Sequence, residues 1–289
     1  MISIIITAFK EPKTIANAVK STFSENLPPH EILVIAPDKE TLNEAKKTKI
    51  KTLKTIKDDG KGKPAALNLA IKKSKGEILI LTDGDVFLDK NAIPELLKEM
   101  QNKKIGAVSG RPVSTNAKSN KFGYWAFLLT NIAHIRRKRA VAKNKRFFPS
   151  GYLFTIRKNL FPNLNEELLS EDGFISHEVY KKGFKISYAE KAKVYVKYPT
   201  TFKDWIIQKK RSAGGYNQIK KLTKTEIRSL KSESKGFLDF LKLVSSPKEF
   251  FWLIHLFVAR IYLWYLIYRD INVKKKSREE IWKRVESTK

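Results

Sequence analysis

Ile78-Leu79-Ile80-Leu81-Thr82-Asp83-Gly84-Asp85-Val86-Phe87-Leu88 is the stretch around which the chain is organised. Its apolar run, Ile78 to Leu81, is short and ends at a turn residue, the pattern of a strand buried on both faces of a parallel sheet. The run gives way to two aspartates separated by one glycine. Ligands of open α/β sheets gather at the carboxyl ends of such strands. Gly84 allows a sharp turn there, so Asp83 and Asp85 offer hard oxygen donors to Mg²⁺ or Mn²⁺, with positions left over for substrate phosphates. The same three residues also serve in helix caps and solvated turns, and the flanking sequence has to separate the two readings.

Upstream, Ile2–Thr7 reads as a first buried strand running into Ala8-Phe9-Lys10-Glu11-Pro12. A helix over Thr14–Phe23 follows, then a strand over Glu31–Ile35, a helix over Thr41–Lys47 and a third strand within Ile50–Ile56. Asp58-Asp59-Gly60-Lys61-Gly62-Lys63-Pro64 makes a flexible basic loop opening a helix over Ala65–Lys73, with Pro64 near its first turn. This alternation predicts a mostly parallel sheet with right-handed crossovers. Downstream the pattern predicts a helix over Asn91–Gln101 and a strand over Ile105–Val113. A long helix over Lys121–Ala142 follows, and then a strand over Phe147–Ile156 interrupted at Ser150-Gly151. Glu171-Asp172 opens a helix, Lys185–Lys197 is extended, and Phe202–Arg211 is a basic helix ending at Gly214-Gly215.

Composition narrows the classes. The 289 residues are 42% hydrophobic, which is globular, and contain no cysteine, which excludes disulfides and thiolate metal sites. Four histidines show no zinc-type spacing. The formal charge of +29 attracts polyanions: nucleic acid, anionic headgroups or nucleotide phosphates. The aromatics do not form a nucleic-acid motif, so that partner is not expected. The opening residues lack a signal peptide's basic region, which predicts a cytosolic main domain.

Phe250–Tyr268 is a run of nineteen residues with His255 and Arg260 as its strongly polar members. A helix of that length covers about 28 Å, close to a bilayer's hydrocarbon thickness. Arg260 at its middle is costly in lipid, and basic residues on both sides leave no orientation from the positive-inside rule. Membrane association is expected, by a span or by an interfacial helix; the alternative is a helix docked on another subunit or on the main domain.

The ordered set of strand ends, basic glycine loop, Asp-Gly-Asp and Glu171-Asp172 resembles the family-2 inverting glycosyltransferases over roughly residues 1 to 215. The resemblance implies the GT-A fold, a Rossmann-like, mostly parallel central sheet flanked by helices. To this the chain adds a C-terminal helical membrane-associating region. The expected division is 1–200 catalytic domain, 201–248 basic interfacial helices, 249–270 apolar helix and 271–289 basic tail.

The resemblance also implies site residues. Thr7-Ala8-Phe9-Lys10-Glu11-Pro12 is similar to the family's first strand end and would bind the nucleotide, Phe9 near base or ribose and Glu11 hydrogen-bonding one of them. Asp38 stands where the family shows a base-reading aspartate pair. Gly62-Lys63-Pro64-Ala65-Ala66-Leu67-Asn68 resembles a segment whose lysine lies near the donor, and a lysine at a helix N-terminus suits an anion. In Asp83-Gly84-Asp85 the second aspartate would ligate the metal and the first would contact ribose or a metal-bound water. Asp172 matches the base, with Glu171 orienting it or the acceptor. Gln208 and Arg211 resemble part of a Gln-x-x-Arg-Trp motif of processive members, with Ser212 in place of the tryptophan. Gln208 would line the acceptor site and Arg211 would meet the diphosphate. Ser150-Gly151-Tyr152 falls where the family places small residues lining the acceptor site.

The expected function is a Mn²⁺- or Mg²⁺-dependent inverting transfer of a sugar from a UDP- or GDP-sugar to a hydroxyl. The acceptor would be a lipid-linked glycan or polysaccharide at the cytosolic membrane face. The alternatives are a non-catalytic membrane-bound nucleotide or polyanion binder, which would be indifferent to Asp172→Asn, and a nucleotidyltransferase. The latter usually has a more pronounced glycine-rich phosphate loop near its N-terminus.

Overall fold

The computed structural model describes residues 1–223, 237–274, 280 and 285–288. Its order is β1 (Ile2–Thr7), α1 (Ile15–Thr22), β2 (His30–Ala36), α2 (Lys39–Lys46), β3 (Leu53–Lys57), α3 (Lys63–Lys73), β4 (Ile78–Asp83), β5 (Val86–Leu88) and α4 (Ala92–Met100). Then come β6 (Ile105–Ser114), α5 (Lys121–Ala142), β7 (Leu153–Arg157), α6 (Glu171–Lys181), β8 (Lys185–Val196), α7 (Phe202–Thr223), α8 (Phe237–Leu241) and α9 (Pro247–Tyr268). Residues 224–236 of the basic interfacial region expected over 201–248, and most of the basic tail, lie outside the described residues.

The strands form one sheet in the order β3-β2-β1-β4-β7-β6-β8-β5. The βα units from β1 to β4 behave as their alternation predicts, pairing parallel in consecutive registers. The other half is mixed: β7 runs antiparallel to β4 and β6, and β5 antiparallel to β8, while β6 and β8 pair parallel. The antiparallel strands have no sequence signal of their own, because Leu153–Arg157 is as apolar as a parallel strand. β7 pairs on the edge of β4 that β1 leaves open. The segment from Phe147 to Tyr152 is not strand as expected; only Ser150 makes an isolated bridge, to Leu153.

Side chains alternate across the sheet because successive Cβ atoms leave a strand on opposite faces. Ile4, Ile6, Ile32, Val34 and Ile80 pack with α1, α2 and α4. Ile5, Leu33, Ile35, Leu79 and Leu81 pack with α3 and α6. The strands are buried on both faces, which is why they read as unbroken apolar runs.

A third apolar cluster lies beyond the sheet. It joins Tyr124, Trp125, Leu128 and Ile132 of α5 to Trp205 of α7, Phe240 of α8, and Leu253, Leu256 and Leu263 of α9. Trp125 donates its indole N–H to the Trp252 carbonyl at 2.7 Å, and its ring lies 5.2 Å from that of Trp205. The expected end of α7 at Gly214-Gly215 is a misreading: the helix runs through both glycines to Thr223. A Cβ on Gly215 would stand 2.4 Å from the Ser170 Cβ. The glycine therefore admits the close approach of α7 to the start of α6 rather than ending the helix.

Candidate active site

The site lies at the carboxyl ends of β1 and β4, which finish level because Thr7 is in register with Asp83. Beyond that rung the Gly84 N–H donates to the Thr7 carbonyl at 2.9 Å. A Cβ on Gly84 would come 2.7 Å from the Ala8 Cβ, so glycine is what lets the Asp-Gly-Asp turn close against the first strand's end. The Thr7 hydroxyl donates to Asp83 Oδ1 at 3.3 Å.

Lys63 joins the parts of the site. It is the first residue of α3, after Gly62 in the left-handed region at φ 101°. Its Nζ lies 2.7 Å from Asp83 Oδ1 and 2.9 Å from Glu171 Oε1, and it donates to the Gly151 carbonyl at 3.3 Å. One ammonium thus ties the end of β4 to the start of α6 and to the loop before β7. Burial disfavours its charge, but Asp83 and Glu171 outweigh that and raise its pKa.

Asp172 sits in the first turn of α6, where the helix dipole favours a carboxylate. Its Oδ1 accepts from the Ser170 hydroxyl at 2.5 Å and from the Gly173 N–H at 2.8 Å. Its Oδ2 lies over the open side of Gly151, 3.4 Å from where a Cβ would stand. Burial, reinforced by Glu171, pushes the Asp172 carboxyl above its ordinary pKa. Burial pushes Glu171 the same way, but Lys63 and then Arg211 win and lower it. Adjacent carboxyls are therefore driven apart, a low one neutralised by lysine and a raised one with base character. Asp83 is raised by burial and by Asp85, against the pull of Lys63.

Tyr152, the aromatic of the Ser150-Gly151-Tyr152 stretch, stands between Gln208 and the carboxylates. Its hydroxyl accepts from Gln208 Nε2 at 3.4 Å, and its ring meets that of Tyr198 edge-on at 6.0 Å. Burial raises the phenol's pKa, Arg211 opposes this, and Asp85, Asp83 and Asp172 add to it, so all four charges act on this one hydroxyl. Gln208 and Arg211 of α7 therefore reach the same site as the three aspartates. Tyr152 belongs to the Ser150-Gly151-Tyr152 stretch that the sequence put beside the acceptor.

The nucleotide-side residues divide. Phe9 is half-buried beside β1, with the Lys10 ammonium 5.7 Å from its ring centre. Glu11 is 7% exposed, donates its backbone N–H to the Thr41 hydroxyl oxygen at 2.8 Å, and accepts on its carboxylate from the Thr14 hydroxyl at 3.5 Å. Asp38 serves as the N-cap of α2: Oδ1 accepts from Thr41 N at 3.0 Å and Oγ1 at 2.6 Å, while Oδ2 accepts from the Lys10 N–H at 2.9 Å. These bonds hold the β1 end against α2, a framework role that the sequence alone did not assign. Asn68 is likewise structural, pairing both ways with the Leu164 backbone at 2.8 and 3.0 Å. Asp58, just past β3, was read only as loop; burial and the charges of Asp59 and Asp38 raise its pKa.

Among the described residues no three His, Cys, Asp or Glu side chains gather as a metal cage. The charge of Asp85 makes ionisation of Asp83 costlier, and two carboxylates together at a strand end suit a hard cation that takes its remaining ligands from phosphate oxygens. Asp83 and Asp85 fit that arrangement.

The family model described as "Glycosyltransferase like family 2" matches residues 1–215. Poly-beta-1,6-N-acetyl-D-glucosamine synthase of Staphylococcus epidermidis is 24% identical over 229 residues, 75% of this chain and 55% of that protein. The probable glycosyltransferase YdaM of Bacillus subtilis is 28% identical over 55% of this chain and 39% of that protein. The chain thus spans about half or less of these curated relatives. Among solved structures, a mannosyltransferase of Pyrobaculum calidifontis in complex with GDP-Man and Mn²⁺ superposes with TM-score 0.58 at 17% identity, over 91% of this chain and 69% of that one. S. aureus TarS gives 0.51 at 19% identity, over 74% and 64%. These likenesses establish the GT-A fold.

Proposed function

The chain belongs to glycosyltransferase family 2, and we propose that it transfers a hexosyl group from a nucleotide-sugar to a hydroxyl acceptor with inversion. The observation that carries this reading is Lys63, whose single ammonium bridges Asp83 on the donor side to Glu171 beside the base. The metal carboxylates and the base thereby belong to one site.

Asp172 is the base. With Oδ1 held by Ser170 and Gly173, Oδ2 receives the proton of the acceptor hydroxyl as that oxygen attacks the anomeric carbon. The bond from that carbon to the diphosphate oxygen breaks, and its electron pair leaves with the nucleotide diphosphate. A single displacement leaves no sugar on the enzyme and inverts the configuration. Asp85 and Asp83 would hold Mn²⁺ or Mg²⁺, which supplies positive charge beside the departing diphosphate. Lys63 and Arg211 add cationic charge to the same region. Glu171, kept ionised by Lys63, orients the lysine and raises the basicity of Asp172. Tyr152 and Gln208 position a sugar hydroxyl between the two sides. Thr7, Ala8, Phe9 and Glu11 form the nucleotide end, with Asp38 acting through the shape it gives that loop.

UDP- and GDP-sugars are the donor candidates, since fold relatives carry GDP-Man or UDP-GlcNAc. A polysaccharide synthase among the relatives supports a lipid-linked or growing glycan as acceptor, at the cytosolic membrane face. The test is nucleotide release from a panel of UDP-, GDP- and dTDP-sugars with Mn²⁺ or Mg²⁺, with and without membrane lipid extract. Metal-dependent release from one donor, lost in Asp85→Ala and Asp172→Asn, is expected. Nucleotide binding without release under any condition would overturn the transferase in favour of a binding protein.

A further inference from the structure

Helix α9 carries two apolar stripes with opposite fates. Leu253, Leu256, Ala259, Leu263 and Ile267 are buried against α5, α7 and α8. Phe251, Ile254, Val258, Ile261, Tyr265 and Tyr268 recur at alternating steps of three and four, a straight line along the helix, and are between 45% and 66% exposed. That line is about 26 Å long at 1.5 Å per residue. It is widened by Phe202 of α7, whose ring stacks on Tyr262 at 6.3 Å. Six large apolar side chains in one exposed row exceed the scattered hydrophobes of an ordinary soluble surface.

Charge identifies the occupant. Acids of α8, of α9 and just past α9 are engaged by cations of the same chain: Asp239 with Arg139, Glu249 with Lys118 at 2.8 Å, and Asp270 with Lys210. The chain as a whole carries +29. A second copy would bring the same positive field and be repelled, whereas an anionic bilayer is attracted.

Packing decides the orientation. α9 is long and apolar enough to cross a bilayer, yet its inner stripe is held from Leu253 to Ile267 on helices of the catalytic unit. A perpendicular span would draw α5, with its Arg136-Arg137-Lys138-Arg139 end, into hydrocarbon. We infer that α9 lies in the plane of one leaflet of an anionic membrane, its Phe251-to-Tyr268 row in the lipid and its opposite stripe on the protein. Given the transferase reading, one consequence follows. Trp205, in the platform, precedes Gln208 and Arg211, at the site, by about one and two turns of α7. The acceptor is then met at the bilayer surface.

The absence of cysteine makes the test direct. Full-length protein is floated with preformed vesicles of phosphatidylcholine alone or with phosphatidylglycerol, as wild type and as Ile254→Glu/Val258→Glu/Ile261→Glu. Binding to the anionic vesicles, reduced by more than about a hundredfold in the triple variant, is expected. The altered side chains are exposed, so its melting temperature serves as the check on folding. Ser245→Cys and Lys274→Cys, on either side of α9, should both react with an impermeant maleimide added outside. Protection of one of them would overturn the in-plane arrangement in favour of a span. Failure to bind anionic vesicles would overturn the membrane assignment, and a wild-type dimer that the triple variant dissociates would assign the row to a second copy. Asp85→Ala separates this inference from the catalytic one: it should abolish nucleotide release and leave flotation unchanged.

Discussion

Carboxylates lie at both ends of the parallel strands, Glu31 buried at one and Asp83 and Asp172 half-buried at the other, and the two ends are treated in opposite ways. At the amino end Glu31, 3% exposed, accepts from the Ser3 hydroxyl at 2.8 Å, the Lys75 N–H at 2.6 Å and Lys54 Nζ at 2.9 Å. Burial alone would raise its pKa, but these donors together lower it. At the carboxyl end burial prevails, and Asp83 and Asp172 are raised with an acidic neighbour adding to the shift. A buried charge with every lone pair engaged is framework, while one left dependent on a ligand is chemistry.

Exchanging the two kinds of loss would break this comparison. Asp172→Asn should lower kcat for nucleotide release by about 10³-fold, within the range for losing a general base, with the melting temperature unchanged or raised. Glu31→Ala should do the reverse. It leaves buried donors without their acceptor and should cost about 2–3 kcal/mol in urea unfolding, with the activity per folded molecule retained. If Glu31→Ala abolished turnover in folded protein, the two ends would not differ as argued.

Acid titration sharpens the contrast. Asp172 works ionised, so kcat should fall as pH drops through its raised pKa, placing the acid limb above the ordinary aspartate value of 3.8. Glu31 has a folded pKa below its ordinary 4.5. The stability it contributes is present above 4.5 and lost as pH falls through the lower folded value. A pH–rate profile and a pH–melting profile should therefore separate, activity failing before Glu31's contribution to stability.

Smaller effects are expected between the extremes. Lys63→Met removes the link between Asp83 and Glu171, both partly open to solvent, and should weaken nucleotide binding by about tenfold. It should also move the acid limb, because Lys63 is the leading influence that keeps Glu171 low. Tyr152→Phe loses one long hydrogen bond to Gln208 and should change kcat/KM by only about threefold to tenfold. An unchanged Tyr152→Phe enzyme would reduce that residue to packing against Tyr198.

How much was legible in the chain differs by element. The strands β1, β2 and β4 and the Asp83-Gly84-Asp85 turn were readable because burial on both faces writes an unbroken apolar run. Glu171 at the start of α6 was readable from the dipole rule. The antiparallel course of β7 was not, because strand direction leaves no mark on composition. Gly214-Gly215 misled for a related reason: a glycine that ends a helix and one that admits a neighbour look alike until Ser170 is seen against it. The bonds that Asp38 accepts from Thr41 and Lys10 were not legible either, because only the fold brings those partners to it.

By itself the sequence determined the α/β alternation, the family motifs, the absence of cysteine and the charge of +29. These are local or additive properties, readable without knowing what touches what. Only the tertiary structure decided that Lys63 bridges Asp83 to Glu171, that Tyr152 stands between the carboxylates and α7, and that α9 hides one stripe and presents the other. Each of these joins residues tens of positions apart, and their chemistry depends on distance and burial, which the chain acquires when it folds.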